Sequence, residues 1–202
     1  MMPSMIIHAA TGNQDKVREL QSIFSSHTLT AAEQFSCLED GDTFFANAYK
    51  KALCLHAQCG QTVLADDSGL CVPALGGAPG IFSARYGSDR FARELSSEER
   101  NAYLLSQLDA HADRRAFFVC AIVLLFDPHR YLSVQETVAG SITREPRGSG
   151  GFGYDPVFFL PEFGCTMAEL TEEEKHAISH RGKAGRLLSR MLHVYETQEH
   201  IP

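Results

Sequence analysis

The stretch Leu64-Ala65-Asp66-Asp67-Ser68-Gly69 places two adjacent carboxylates directly after an apolar run that begins at Thr62. The apolar run predicts the end of a buried strand, and packing alone gives no reason for carboxylates at that point. Side chains of consecutive extended residues point to opposite faces, so one aspartate can face a cleft while the other braces a turn. We expect Gly69 to let the backbone leave the strand sharply.

The pair Asp66-Asp67 suits a divalent cation and an activated water, because carboxylate oxygens are hard ligands and also proton acceptors. The alternative is structural: a strand that ends in an Asx-type turn. This stretch by itself leaves both interpretations open.

The bulk properties describe an ordinary globular chain of 202 residues, with 44% hydrophobic and 21% charged residues. This length fits one domain or two closely joined lobes. The net charge of -7 argues against broad binding to nucleic acid, which requires a basic surface. One small phosphorylated ligand remains possible, since it needs only a local cluster of Lys and Arg.

The cysteines show no Cys-x-x-Cys pair, so we expect free thiols in a reducing compartment and neither a zinc site nor a disulfide framework. They are Cys37, Cys54, Cys59, Cys71, Cys120 and Cys165. Residues 1–4 contain no basic segment leading into an apolar core, as a secretory signal would. The longest apolar run, 117–126, is too short to cross a bilayer as a helix. A cytoplasmic protein without a membrane partner is predicted.

Residues 5–10 predict a short buried strand that Thr11-Gly12-Asn13 turns into a helix. Helix N-termini direct free backbone N–H groups and a positive dipole at their surroundings, which favours phosphate. Lys16, in the first turn, adds a cation. The segment is not the glycine-rich loop of the nucleoside triphosphatases, and a turn capped by Thr and Asn is the structural alternative.

Glu39-Asp40-Gly41-Asp42 forms an acidic turn before a second predicted helix over 43–59. On that helix Thr43, Asn47 and Lys51 lie at intervals of four, so they share one face. A polar stripe that begins beside carboxylates can line a cleft. A solvated helix face has the same pattern.

The segment 147–156, Arg-Gly-Ser-Gly-Gly-Phe-Gly-Tyr-Asp-Pro, surrounds two aromatic rings and a carboxylate with glycine. Aromatic rings on such a backbone are suited to stack on a planar ligand such as a nucleobase. A tight loop that packs its own aromatic cluster is the alternative.

The remaining signals predict alternating strands and helices, and hence an α/β chain with a mixed sheet. Ser96-x-x-Glu99 and Thr171-x-x-Glu174 are capping boxes that each open a helix. Two strands flank residues 127–130, and the first, apolar throughout, is predicted to be central. His180-Arg181-Gly182 predicts a helix end, or a kink before a last helix from Lys183.

Six motifs in order resemble the inosine triphosphate pyrophosphatase family, the non-canonical purine nucleoside triphosphate pyrophosphatases. They are Thr11-Gly12-Asn13-x-x-Lys16, Glu39-x-Gly-x-Thr43-Phe44-x-x-Asn47, Asp66-Asp67-Ser68-Gly69, Gly76-Gly77-Ala78-Pro79-Gly80, Gly151-Phe152-Gly153-Tyr154-Asp155-Pro156 and Ser179-His180-Arg181-Gly182. Each motif is modest, but six in the family's order are highly specific.

The resemblance implies magnesium-dependent hydrolysis of ITP, dITP and XTP to the nucleoside monophosphate and pyrophosphate, which cleanses the nucleotide pool. It also implies an elongated mixed β-sheet flanked by helices, in one domain over 1–202, with two lobes and the active-site cleft between them. A homodimer is expected. A nonhydrolytic nucleotide-binding regulator and a phosphatase that releases the terminal phosphate remain as alternatives.

The resemblance also assigns roles to single residues. Glu39 and Asp67 would bind magnesium, and Asp67 would accept the proton of the attacking water. Whether Asp40 or Asp66 also reaches the metal stays open. The residues that would contact the substrate are Thr11, Gly12, Asn13, Gln14, Asp15, Lys16, Lys51, Ser68, Phe152, Gly153, Tyr154, Asp155, Lys175, His180 and Arg181.

Overall fold

A computed structural model describes residues 4–32 and 35–198 of the chain. Within these ranges seven strands form one sheet in the order β2-β1-β3-β4-β5-β6-β7. The strands are β1 (Ile6–Ala9), β2 (Thr28–Ala31), β3 (Val63–Cys71), β4 (Arg115–Asp127), β5 (Arg130–Ile142), β6 (Phe158–Leu160) and β7 (Cys165–Thr166). The helices are α1 (Gln14–Ile23), α2 (Phe44–Cys59), α3 (Ser88–Phe91), α4 (Ser97–Gln107), α5 (Glu172–Ile178) and α6 (His180–Gln198).

The sheet is mixed, as the alternation of elements predicts. β1 pairs in parallel with β2 and with β3, in a register that sets His8 opposite Thr30 and Val63. β6 pairs antiparallel with β5 and with β7, and Phe159 lies opposite both Ser141 and Thr166. The apolar strand β4 lies inside the sheet, as predicted.

The chain divides into two compact units. Unit 1 contains the described parts of Met1–Asp67, Cys120–Glu136 and His180–Pro202, and unit 2 contains Ser68–Val119 and Thr137–Ser179.

Unit 1 has a hydrophobic core on each face of its strands. Leu64, Ile122 and Leu124 pack with residues of α1 and α6, whereas the alternating Val63, Ala65, Val123 and Leu125 pack with Ala48, Ala52 and Leu55 of α2. This alternation follows from the two-residue period of a strand. It sends Asp66 toward α1 and α6, and Asp67 toward α2.

The β3 strand continues through both aspartates to Cys71, so the prediction of a turn at Asp66-Asp67 is wrong. Gly69 likewise stays within the strand. Asp is unfavourable in strands unless its charge finds partners. Here both carboxylates are buried against cations and an amide group from other elements.

Unit 2 packs around Leu104 and Leu108 of α4, Phe118 of β4 and Phe158 of β6. The Phe118 and Phe158 ring centroids lie 4.4 Å apart. This core fixes the base of the loop 147–156, because Tyr154 and Val157 belong to it.

The predicted helix signals are largely confirmed. Ser96 and Thr171 begin α4 and α5 with complete capping boxes. Ser179 separates α5 from α6, which begins at His180 instead of Lys183. None of the helices in the described ranges is long and apolar enough to cross a membrane.

The prediction of free thiols is wrong for one cysteine pair. Cys37 and Cys54 form a disulfide that joins the segment before the acidic turn to α2. The other cysteines are free, and burial raises the pKa of Cys120 to about 12.

Candidate active site

The N-terminus of α2 fixes the polar stripe that the sequence predicts. The Thr43 hydroxyl caps the helix by accepting the Ala46 backbone N–H at 3.0 Å. From this start, Asn47 and Lys51 follow at one-turn intervals on the face that packs toward β3. Asn47 is completely buried and Lys51 is 9% exposed, so the alternative of a solvated face is wrong.

Asn47 connects the acidic turn to the strand. Its side-chain nitrogen donates to Asp67 Oδ2 at 3.0 Å, and its side-chain oxygen accepts the Gly41 backbone N–H at 2.8 Å. A Cβ on Gly41 would lie 2.8 Å from that oxygen, so any larger residue would force a shift at this contact. Both bonds bring the segment that carries Glu39 toward Asp67.

Lys51 lies between two carboxylates. Its Nζ is 2.8 Å from Glu39 Oε1 and 4.0 Å from Asp67 Oδ1. Burial opposes the charge of Lys51, but the nearby Asp66, Glu39 and Asp67 outweigh it and raise the pKa of Lys51. Lys51 therefore stays a cation.

Asp67 is a buried carboxylate with a raised pKa. Burial is the main cause, and the attraction of Lys51 and the Asn47 hydrogen bond only partly offset it. The negative charges of Glu39 and Asp66 add to the rise. A raised pKa makes Asp67 a stronger proton acceptor than an ordinary carboxylate.

Asp66 faces the opposite side of β3. Its Oδ2 accepts from Lys16 Nζ at 2.9 Å and from Arg181 Nε at 3.2 Å. Burial opposes ionisation of Asp66, but Lys16 and Arg181 hold the pKa of this carboxyl far below its usual range. The two aspartates thus have separate partners, and Glu39 and Asp67 are the carboxylates that share Lys51.

The turn before α1 exposes the start of a helix. The Thr11 hydroxyl accepts the Asn13 N–H at 3.1 Å, and Asn13 Oδ1 accepts the Lys16 N–H at 3.3 Å. Gly12, Asn13 and Gln14 are exposed, as a site for an anion at a helix start would require. The side chain of Asp15 lies outside the described part of the structure.

In unit 2 the glycine-rich loop holds a second set of predicted residues. Asp155 is buried, and its Oδ2 accepts from Lys175 Nζ at 2.5 Å and from the Phe152 backbone N–H at 2.8 Å. Lys175 Nζ also lies 4.5 Å from the centroid of the Phe152 ring. The loop therefore presents an exposed aromatic ring beside a lysine, while Ser68, also in this unit, is partly exposed on β3.

The prediction that both aromatic rings of this loop stack on a ligand is wrong for Tyr154. The Phe152 ring is 48% exposed, but Tyr154 is 4% exposed and packs in the core. Its hydroxyl donates to the Ser83 carbonyl at 2.8 Å, which satisfies the polar end of a buried tyrosine.

Two predicted residues stand at the start of α6 in unit 1. His180 is partly exposed. Arg181 is 3% exposed, and its guanidinium contacts Glu19 as well as Asp66. Glu19 is not among the predicted site residues, although its spacing of three from Lys16 sets both on one helix face.

The residues near Asp67 fit a magnesium ion that arrives with a polyphosphate. Mg²⁺ is usually held by one or two carboxylates together with waters and substrate phosphates. Glu39 and Asp67 supply such a pair. Across 4–32 and 35–198, the structure contains no group of three His, Cys, Asp or Glu side chains that could hold a metal.

The comparisons with known proteins cover almost the whole chain. The sequence model of the Ham1 family matches residues 7–191. A dITP/XTP pyrophosphatase of Treponema denticola is 50% identical over 192 residues, which are 93% of this chain and 98% of the relative. One of Nitrosomonas europaea is 43% identical over 201 residues, 96% of this chain and 97% of the relative. The structure of the Staphylococcus aureus Ham1 protein superposes with a TM-score of 0.85 at 38% identity, covering 94% of this chain and 99% of that one.

Proposed function

The chain belongs to the Ham1 family and acts as a dITP/XTP pyrophosphatase on non-canonical purine nucleoside triphosphates, and from this premise we propose which residues perform the hydrolysis. The observation that carries the proposal is the position of the Lys51 ammonium between Glu39 and Asp67. The Lys51 cation supplies positive charge for a phosphate. The two carboxylates beside it supply an acceptor for a proton and ligands for a metal.

Asp67 accepts the proton of the attacking water. The water oxygen forms a bond to the α-phosphorus, its proton passes to the Asp67 carboxylate, and the bond to the bridging oxygen of the leaving pyrophosphate breaks. The raised pKa of Asp67 supports this role. Asn47 restrains Oδ2 of the carboxylate, so Oδ1 is suited to face the water.

Glu39 and Asp67 would hold magnesium. When bound, the ion neutralises charge on the triphosphate and on the leaving pyrophosphate. Lys51, which remains charged, and Lys16 contribute further positive charge to the phosphates, together with the positive end of the α1 dipole at the turn 11–16.

The nucleoside contacts are also proposals. The exposed Phe152 ring is suited to stack on the base, and Gly153 and Tyr154 offer backbone groups beside it. Further predicted contacts come from Ser68, Asp155, Lys175 and His180, whereas the Arg181 guanidinium is buried against Glu19 and Asp66. A donor directed at O6 favours hypoxanthine and xanthine, because adenine carries an amino group at that position.

Product analysis tests the proposal. Purified protein is mixed with magnesium and dITP or XTP, with ATP and GTP in parallel reactions. We expect the monophosphate and pyrophosphate from dITP and XTP and little product from ATP or GTP. Nucleoside diphosphate with inorganic phosphate would instead assign the protein to the terminal phosphatases, and tight binding without turnover would make it a regulator.

We also propose that the protein forms a homodimer in the cytoplasm, as the resemblance implies. Light scattering after size exclusion should then give twice the chain mass of 22.3 kDa. A peak at the mass of one chain at micromolar concentration would contradict the dimer.

A further inference from the structure

Four alternating charges form a continuous chain of contacts inside unit 1. Glu19 Oε2 lies 3.3 Å from Arg181 Nη1, and Arg181 Nε lies 3.2 Å from Asp66 Oδ2. The same Asp66 oxygen lies 2.9 Å from Lys16 Nζ. The side chains of Glu19, Arg181 and Asp66 are at most 8% exposed, whereas that of Lys16 is 19% exposed. Lys16 is therefore the member that reaches toward solvent.

The packing of α1 on α6 sets this geometry. Gly185 lies one turn after Arg181, and a Cβ there would be 2.9 Å from Ile23 Cδ1 and 3.3 Å from Leu20 Cδ2. Without that Cβ, α6 can approach α1 closely, which brings Arg181 beside Glu19. Lys16 and Glu19 are three residues apart on α1, so both face the same side.

Burial of these charges costs more free energy than burial of apolar side chains in the same place, because three of the charged side chains are nearly removed from water. Buried ion pairs contribute little net stability, and apolar residues of similar size often serve as well. Their charges nevertheless balance in number, and Arg181 spans both carboxylates with separate nitrogens of its planar group. A balanced set of charges holds each side chain in one orientation, because each member has a defined partner.

We propose that Glu19 is a positioning residue for Lys16 and acts through Arg181 and Asp66. Glu19 holds one side of the Arg181 guanidinium, and this fixes the position of the Asp66 oxygen that Arg181 and Lys16 share. That oxygen in turn directs the Lys16 ammonium. Without the Glu19 charge, Arg181 shifts toward Asp66 and the Lys16 ammonium loses its defined place. The inference rests on the proposed function, in which Lys16 binds the phosphates of the substrate.

The test is a double-mutant cycle of Glu19→Gln and Lys16→Met. Its readouts are binding of inorganic tripolyphosphate with magnesium by calorimetry, and KM and kcat with dITP. We expect Glu19→Gln to weaken tripolyphosphate binding and raise KM about tenfold, with a smaller change in kcat. In the Lys16→Met background the same substitution should change neither quantity, because its target is gone. Equal effects of Glu19→Gln in both backgrounds would overturn the inference.

Two further variants distinguish the positioning of Lys16 by Glu19 from a purely structural effect of the substitution. Glu19→Asp keeps the charge and should retain most of the tripolyphosphate affinity, which a loss of packing would not predict. Glu94→Gln removes one charge from an exposed side chain and should match the wild type. If Glu19→Gln does not fold, Glu19→Asp replaces it in the double-mutant cycle. Its loss of tripolyphosphate affinity should be smaller, and it should disappear in the Lys16→Met background.

The two levels of the proposal fail in different ways. If Lys16→Met itself binds tripolyphosphate like the wild type, the assignment of Lys16 to the phosphates is wrong. If Lys16→Met loses binding but Glu19→Gln does not, only the role of Glu19 is wrong.

Discussion

Asn47 donates its side-chain amide to the Asp67 carboxylate across 3.0 Å, and no part of Asn47 is exposed. The same side chain accepts the Gly41 N–H, so one residue holds both the strand that carries Asp67 and the turn that follows Glu39. The distance between the two proposed metal ligands thus depends on Asn47, which is not itself one of the proposed ligands.

Asn47→Ala should lower kcat for dITP by roughly tenfold or more, since residues that orient metal ligands typically have effects of this size. It should also reduce the free energy of unfolding by about 1–3 kcal/mol, because the Gly41 N–H loses its acceptor. Gln58→Ala, on the exposed C-terminal part of α2, is the matched control. Steady-state kinetics and urea unfolding of both variants would show whether the loss is specific to Asn47.

Substitutions of Glu39 and Asp40 should differ in their effect on the magnesium dependence of the reaction, although the two residues are neighbours in the sequence. The Asp40 side chain is 56% exposed and pairs with Lys50, whereas Glu39 bonds Lys51 beside Asp67. We expect Glu39→Gln to raise the magnesium concentration needed for half-maximal rate about tenfold or more, and Asp40→Asn to leave it unchanged. Magnesium titrations of the two variants provide the measurement, and a reversed order would assign the metal to Asp40.

Asp67→Asn should reduce turnover by roughly 10²-fold or more, because the amide cannot accept the proton of the water. Its melting temperature should not fall, since burial disfavours the charged form of Asp67 and the substitution removes that charge. The exposed Asp89→Asn serves as the control for loss of one charge. Hydrolysis near the wild-type rate would exclude Asp67 as the proton acceptor.

Gly41→Ala should disturb the same region by steric means. An added methyl group would lie 2.8 Å from Asn47 Oδ1 and 2.9 Å from Ala46 Cβ. We expect a loss of kcat similar to that of Asn47→Ala, and a smaller further loss when both substitutions are combined, because they act on one contact. Equal losses of kcat in both backgrounds, measured with dITP, would show that the methyl group acts independently of Asn47.

The elements with strong local signals were predictable from the sequence. The capping boxes at Ser96 and Thr171 and the strand-to-helix turn at Thr11-Gly12-Asn13 each depend on residues within one turn of the chain. The structure confirms the helices that they open.

The features set by distant partners were not predictable in this way. Two consecutive aspartates predict a turn locally, but Lys16 and Arg181 compensate one of them and Asn47 and Lys51 the other, so β3 continues. The disulfide between Cys37 and Cys54 has no signature in their spacing.

Phe152 and Tyr154 show that the burial of a side chain within a single loop also depends on distant residues. They have similar neighbours in the sequence, yet Tyr154 is buried because its ring packs in the core of unit 2, where the carbonyl of Ser83, far away in the chain, accepts its hydroxyl. No pattern within the loop distinguishes the exposed ring from the buried one.

Gly151→Ala should separate the Asp155 carboxylate from Lys175. Gly151 has a φ of +71°, and an added Cβ would lie 2.9 Å from Lys175 Nζ and even closer to an Asp155 oxygen. The pair would have to move, and with it the cation beside the exposed Phe152 ring. We expect KM for dITP to rise about tenfold, while inorganic tripolyphosphate, which lacks a base, should bind as it does to the wild type.

Gly164→Ala separates this contact effect from backbone strain. Gly164 has a similar φ of +68°, but nothing lies within 4 Å of its added Cβ. Both variants should lose about 1 kcal/mol of stability from the left-handed conformation, and only Gly151→Ala should lose affinity for dITP. The loop around Asp155 would not be a contact for the nucleoside if Gly164→Ala raised the KM for dITP as much as Gly151→Ala does. The same conclusion would follow if Gly151→Ala weakened the binding of tripolyphosphate as much as that of dITP.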